Sequence, residues 1–367
     1  MKLPLDVNAY DIDLNCFYSA TLAETAGGFK LIKKDDVPSA SNIYISPGWI
    51  DIHAHIYDGF SYLGVSADRD AGIKKGVHLV ADAGTSGAAT FKGIVKYILP
   101  ANQTKIKIWL HINSTGILHN KEGTDINLMK VSDAVETACA NKELICGIKV
   151  RIARSIVLDK GIEPLKRAKE AAVKANIPLM VHIGEAPPDI DEVLSYIDKG
   201  DVISHAFHGK SDYPWNSDGT PIASLQKAID RGAILDLAHG FSGFSFDIYK
   251  KAISHGFLTH TISTDLHTKN IKGPVFDFPS TMTKALSCGL PLNEVIKSVT
   301  CIPSKVINEK GWCHAYKHSL NNATIFELSE NIERKEFFDS QGMSLIPERI
   351  IIPKAVITGG RLIDIEN

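Results

Sequence analysis

Ile43-Tyr44-Ile45-Ser46-Pro47-Gly48-Trp49-Ile50-Asp51-Ile52-His53-Ala54-His55 is the stretch from which the rest of the chain can be read. Its β-branched and aromatic residues favour strand, interrupted by Pro47-Gly48 and resumed up to His55. On a strand, side chains at i and i+2 leave the same face, so His53 and His55 can grip one cation from a single strand end. Seven similar runs follow: VHLVADAG (77–84), IKIWLHINSTG (106–116), ICGIKVRIARS (145–155), IPLMVHIGE (177–185), DVISHAFHG (201–209), GAILDLAHG (232–240) and HTISTDLH (260–267). Helix-like segments such as GIEPLKRAKEAAVKAN (161–176) and PIASLQKAIDRG (221–232) lie between them. Strand and helix in alternation argue for a parallel sheet, and strands apolar throughout suit burial on both faces. Eight such units closing on themselves predict a (β/α)8 barrel over residues 47–310. A doubly wound open sheet is the alternative, but it needs a glycine-rich phosphate turn, and no GxGxxG follows an early strand.

Each run ends on a polar or titratable residue: His53 and His55, Asp82, His111, Lys149, His182, His205, His239 and Asp265. The C-terminal ends of barrel strands face one mouth, so topology alone would gather these side chains into one site. A single histidine on a strand is more often a structural residue than a ligand. Five candidate ligands, His53, His55, His182, His205 and Asp265, on four strand ends of one barrel are harder to explain that way. Imidazole and carboxylate ligands suit zinc, manganese, iron or nickel alike, so ligand type does not fix the metal. Lys149 is the odd member. From spacing alone, a lysine that pairs or reaches out to solvent is the simpler reading. The other is a desolvated, neutral amine able to add carbon dioxide and become an anionic carbamate.

Residues 1–46 and 311–367 do not read as βα units. Short strand-like pieces such as ATIFEL (323–328) and RIIIPKAVI (349–357) predict a small β-sandwich built from both termini, with the polar stretch LSENIERKEFFDSQGMSLIPE (328–348) as an excursion. An apolar fraction of 44% fits a globular protein, and a net charge of −2 offers no basic field for nucleic acid or an anionic membrane. The opening residues have an early acidic side chain and no apolar core, so they read as no secretory signal, and no run reaches the length of a membrane span. Six cysteines without CxxC spacing read as free thiols, which fits a cytoplasmic setting.

PGWIDIHAH, GIKVRIARS, VHIGEAPP, HAFHGK, LDLAHGFSGFSF and TISTDLHT, in that order over about residues 44–310, resemble the amidohydrolase superfamily, and within it the dihydroorotase-like amidohydrolase/deacetylase metallohydrolases. The resemblance implies two divalent cations, zinc first among the possibilities. His53, His55 and Asp265 would hold the buried ion, and His182 and His205 the more exposed one. Lys149 would bridge them as its CO2-derived carbamate, against the simpler reading from spacing. Asp265 would carry the proton in cleavage of an amide or ester, most naturally in a small N-acetyl or O-acetyl carboxylic acid. Cyclic-amide hydrolysis of the dihydroorotase or hydantoinase kind is the alternative. Purine deamination or an inactive binding protein stand further off. Arg154, five residues beyond Lys149, is the candidate for holding a substrate carboxylate, with His208 and His239 as hydrogen-bond donors at mouth loops. Arg151 and Asp82 read as structural. The expected partner is a small molecule and not nucleic acid or membrane, and the chain is expected to form a homo-oligomer.

Overall fold

The computed structural model describes residues 1–366. Four strands come first: β1 (Leu5–Asp11), β2 (Cys16–Thr25), β3 (Gly28–Asp35) and β4 (Ile43–Pro47). Seven parallel strands follow: β5 (Trp49–Ala54), β6 (Val77–Gly87), β7 (Lys105–His111), β8 (Ile145–Ile152), β9 (Leu179–Ile183), β10 (Val202–Ser204) and β11 (Ile234–Asp236). The C-terminal part adds β12 (Asn322–Glu330), a two-stranded hairpin of β13 (Phe337–Phe338) and β14 (Ser344–Leu345), then β15 (Arg349–Thr358) and β16 (Arg361–Asp364).

The parallel strands pair in chain order from β5 to β11. Residues 260–266 supply the eighth stave. They bond to β11 on one side (Asp236 pairs with Thr261) and to β5 on the other (Ala54 pairs with Leu266). The His55 N–H to Leu266 O bond at 2.9 Å and the Asp265 N–H to His53 O bond at 2.6 Å complete the closure. This last stave is held by bridges rather than a regular ladder, and Asp265 near its end sits at φ 49°. The result is the expected (β/α)8 barrel.

The lower lumen is filled by side chains from six strands, among them Ile52, Leu79, Trp109, Met180 and Val202, and is plugged from below by Ile307 and Trp312. Such a packed interior leaves room for chemistry only at the mouth. The outer helices show why their sequences form them. In Glu163–Ala175, Pro164 stands in the first turn and Asn176 takes the left-handed conformation just past the end. Leu165, Ala168, Ala171, Ala172 and Ala175 give it one apolar stripe against the barrel.

The two termini combine in one mixed sheet of order β16-β15-β12-β4-β1-β2-β3. The sheet curls enough that Phe29 and Leu31 of β3 and Leu362 of β16 pack on the same core of Val7, Ala20, Leu22, Ile325 and Ile357. Its other face meets the barrel through a row of rings: Tyr10, Phe17, Tyr44, Phe326 and Trp49, with successive centroids 5.1–5.5 Å apart. The chain passes from sheet to barrel at Gly48, between β4 and β5. All six cysteines are free thiols. Among the described residues no helix is long and apolar enough to cross a membrane.

Candidate metal centre

Strand β5 delivers His53 and His55 to the barrel mouth, both buried. Its register against β6 shifts between Asp51 and Ala54, an irregularity by which a strand re-aims its side chains. Asp51, the third polar residue of the motif, faces the closing stave, where it accepts the Thr264 hydroxyl at 2.5 Å and the Thr264 N–H at 3.2 Å. It fastens the first stave to the last.

Three imidazoles are turned inward by bonds on their far side. His53 Nδ1 lies 2.8 Å from Ser204 Oγ, His55 Nδ1 2.9 Å from Thr85 Oγ1, and His205 Nδ1 2.6 Å from the Ala238 carbonyl. With Nδ1 protonated and donating, each Nε2 is left as an acceptor or ligand. These nitrogens converge on Asp265: His55 Nε2 is 2.9 Å and His53 Nε2 3.3 Å from Oδ1, and His205 Nε2 is 3.7 Å from Oδ2. His182 completes the ring of imidazoles, its centroid 4.3 Å from that of His205. His205 (φ 65°) and Asp265 (φ 49°) both occupy the left-handed region. Residues held there against their preference cluster at functional sites.

Lys149 lies in the midst of these groups with no exposed surface. Its Nζ meets His53 Nε2 at 3.2 Å and Met180 Sδ at 3.3 Å, and no carboxylate among the described residues pairs with it. Burial therefore dominates and pulls its ammonium down to about 7, against the pull of Asp265 and Asp236. The strand beside it makes room: Gly84 stands at φ +84°, and a Cβ there would come within 2.6 Å of Lys149 Cγ. Burial also depresses His55, and takes His182 and His205 well below the ordinary imidazole range, so all three are neutral near pH 7. Burial pushes the Asp265 carboxyl up, but wherever His53 or His55 carries a proton on the Nε2 that faces it, that ring outweighs burial and holds the carboxyl well below the usual range.

These residues fit a divalent metal. One ligand atom from each of His53, His55 and Asp265 lies within 4.8 Å of the others. The buried His205 Nε2 has no hydrogen-bond partner, which is costly for a polar atom unless something binds it. Neutral imidazoles, an ionised carboxylate and an amine poised to lose its proton are the donor set that a hard or borderline cation takes.

The six side chains expected at the metals, His53, His55, Lys149, His182, His205 and Asp265, are thus brought together. The three substrate contacts are not. Arg154 opens a short helix (Arg154–Val157) just past the end of β8, and its side chain is exposed and does not line the cavity. His208 is buried and does not line the cavity, its Nδ1 accepting the Lys210 N–H at 3.2 Å. His239 is fully buried, with Nε2 2.9 Å from Lys284 Nζ and Nδ1 3.0 Å from the Gly240 carbonyl. The cations on the wall of the cavity, which measures about 210 Å3, are instead Arg151, Lys210 and Lys269. Arg151 was expected to be structural. It shares a strand face with Lys149 by the same i, i+2 rule that pairs His53 with His55. Its guanidinium bonds the fully buried Glu122 at 2.5 Å, which fixes its direction. Asp236 and His267 also escaped the sequence reading. Asp236 ends β11, accepts the hydroxyls of Thr261 and Ser263, and lies 3.9 Å from His53 Nδ1. His267 lines the cavity two residues after Asp265. Asp82, whose carboxylate accepts the N–H groups of Ile56 and Thr85, is structural as expected.

No family model matches the chain. Among curated proteins, a deacetylase from Brucella anthropi is 35% identical over 323 residues, 87% of this chain and 80% of that protein. One from Agrobacterium fabrum is 33% identical over 88% and 80%, and one from Enterococcus faecalis 33% over 94% and 92%. Among solved structures, a dihydroorotase superposes with a TM-score of 0.83 at 30% identity over 97% of this chain and 96% of its own. An adenine deaminase does so with 0.85 at 28% over 98% of each. With relatives of this identity spanning most of both chains, and a barrel mouth of this make-up, the chain is a hydrolase that belongs to the amidohydrolase superfamily, among its dihydroorotase-like deacetylases.

Proposed function

We propose that this chain removes the acyl group, N-acetyl or O-acetyl, from a small carboxylic acid at a dinuclear metal centre. The observation that carries the reading is the convergence of three imidazole Nε2 atoms, the Asp265 carboxylate and the ion-pair-free Lys149 beside a cavity walled by Arg151 and Lys210. The deacetylase relatives support the acyl group. The cavity's size supports a small substrate, since about 210 Å3 is below the range of drug-sized ligand pockets.

His53, His55 and Asp265 would hold one cation and His182 and His205 the other, with the Lys149 carbamate between them. A carbamate forms when the neutral amine adds carbon dioxide and releases a proton, and the lowered affinity of Lys149 for its proton favours that. Cations bound there supply a hydroxide near neutral pH and Lewis acidity toward a carbonyl. The remaining work belongs to the chain. Asp265, ionised and 12% exposed at its side chain, accepts the proton of the attacking water and returns it to the leaving amine nitrogen or alcohol oxygen. Arg151, aimed by Glu122, and Lys210, 3.8 Å from Glu185, bind the substrate carboxylate.

Turnover of a panel of N-acetyl amino acids and O-acetyl hydroxy acids by zinc- or manganese-reconstituted protein tests this. Hydrolysis of at least one member, with KM raised in Arg151→Met, supports it. No turnover of any member overturns it. A second reading, ring opening of a cyclic amide, is favoured by the dihydroorotase likeness. Dihydroorotate and a hydantoin in the same panel distinguish the two, and adenine reports on the deaminase likeness.

A further inference from the structure

The segment between β12 and β15 is exposed along most of its length, yet Phe337 and Asp339 within it are each only 2% exposed. Asp339 Oδ2 accepts the N–H of Phe246 at 2.9 Å. Phe246 is the first residue of the helix Phe246–Ser254, whose own N-cap, Ser245, makes no side-chain cap bond. A residue some ninety positions away thus caps the helix. The other oxygen of Asp339 accepts the N–H groups of Gln341 and Met343 at 2.7 and 2.9 Å, which closes the hairpin tip. Ser340 donates its N–H to the Phe244 carbonyl at 3.0 Å. Its hydroxyl lies 3.1 Å from the carbonyls of both His239 and Gly240, which share its one proton.

Apart from Gln341 and Met343, these partners belong to one segment, 238–246, and the inner side of that segment wraps His205. The Ala238 carbonyl holds His205 Nδ1 at 2.6 Å. The loop presses so closely on the ring that a Cβ on Gly243 would stand 2.1 Å from Nδ1. Ala238 itself takes φ 41°, a conformation that something must enforce. The same loop carries Phe241 and Ser242 to the cavity wall.

We propose that the excursion 331–348 is a strap: Asp339 and Ser340 fix the loop 238–246 from outside, and through the Ala238 carbonyl they set the direction of His205. Ser340 is then a positioning residue, separated from the substrate by the loop it holds. The proposal rests on reading His205 as a member of the centre. It explains why a polar, exposed stretch buries the Asp339 carboxylate at the start of the helix Phe246–Ser254.

Hydrogen exchange and steady-state kinetics on full-length wild type, Ser340→Ala and Ser340→Thr test it. Losing one hydrogen bond to backbone carbonyls is worth about a fivefold to tenfold change. Ser340→Ala should speed amide exchange in 239–246 by about that factor, in metal-free and reconstituted protein alike, and leave β7 unchanged. It should lower kcat by a similar factor with KM within about twofold, and Ser340→Thr should restore both. Wild-type exchange in the loop of Ser340→Ala overturns the strap. So does faster exchange spread evenly over the barrel, or a kcat loss that threonine does not rescue. If wild type turns over no acylated acid, the function proposed above fails, and the exchange comparison still decides the strap by itself.

Discussion

Among the described residues two lysines are fully buried, Lys149 in β8 and Lys284 in the helix Phe278–Ser287, and burial pulls both ammonium groups down to about 7. Each Nζ touches a histidine Nε2, His53 in one case and His239 in the other. Their surroundings differ. Lys284 donates to the Pro274 carbonyl, and it does not line the cavity. Lys149 has only imidazole and thioether neighbours, and His53, beside it, lines the cavity. A depressed lysine therefore does not mark a reactive one by itself. What separates the two is whether the amine already has an oxygen acceptor, and whether it lies within a cluster of ligand atoms open to a cavity.

The largest effect is expected from Asp265→Asn, which keeps the shape of the site and removes the proton carrier. Turnover should fall by about three orders of magnitude while thermal melting stays close to wild type. Melting that collapses along with activity would make Asp265 a structural residue instead. Next come the lysines. Lys149→Ala should lose about a hundredfold or more in kcat, bind less metal, and recover in part with acetate or propionate, whereas Lys284→Met should keep metal content and stay within about tenfold of wild type. Carbon-13 NMR after equilibration with labelled bicarbonate sharpens this: one carbamate signal is expected, absent in Lys149→Ala and present in Lys284→Met. Similar losses and a shared signal would erase the distinction.

The cations around the mouth provide a second contrast. Arg151→Met should raise KM for a carboxylate substrate by about tenfold to a hundredfold, and Arg154→Met should change it by less than about twofold. The reverse pattern would restore the role that sequence gave Arg154. The smallest effect concerns stability. Lys284 has a folded value of about 7 against an ordinary 10.5, so between these limits the unfolded chain binds more protons. Its contribution to stability therefore rises with pH through that window, by at most about 1.4 kcal/mol per pH unit, and is at its lowest below the window. Chemical denaturation of Lys284→Met at a series of pH values should show that rise flattened. An unchanged slope would mean that Lys284 is not desolvated.

Much of this architecture was legible because a barrel turns strand spacing into spatial convergence. The runs ending at His53 and His55, Lys149, His182, His205 and Asp265 each stop at the mouth, and the side chains meet although they lie far apart in sequence. What escaped was local direction. A short helix begins at Arg154, so its side chain leaves the wall that Arg151 remains on. β11 ends at Asp236, which makes His239 a loop residue drawn down to Lys284 instead of a strand-end group facing the mouth. The role of the excursion was also illegible, since Asp339 accepts from and Ser340 donates to backbone atoms, and a backbone partner leaves no mark on sequence. The i, i+2 rule on β8 would have found Arg151. Nothing comparable points to Ser340.

The proposed dinuclear centre fixes how much metal the protein must hold. Elemental analysis of freshly reconstituted, desalted wild-type protein tests it most directly. About two divalent cations per chain are expected, falling to about one when His182 and His205 are both replaced by alanine. Less than about one cation per wild-type chain, or a stoichiometry indifferent to those replacements, would contradict it.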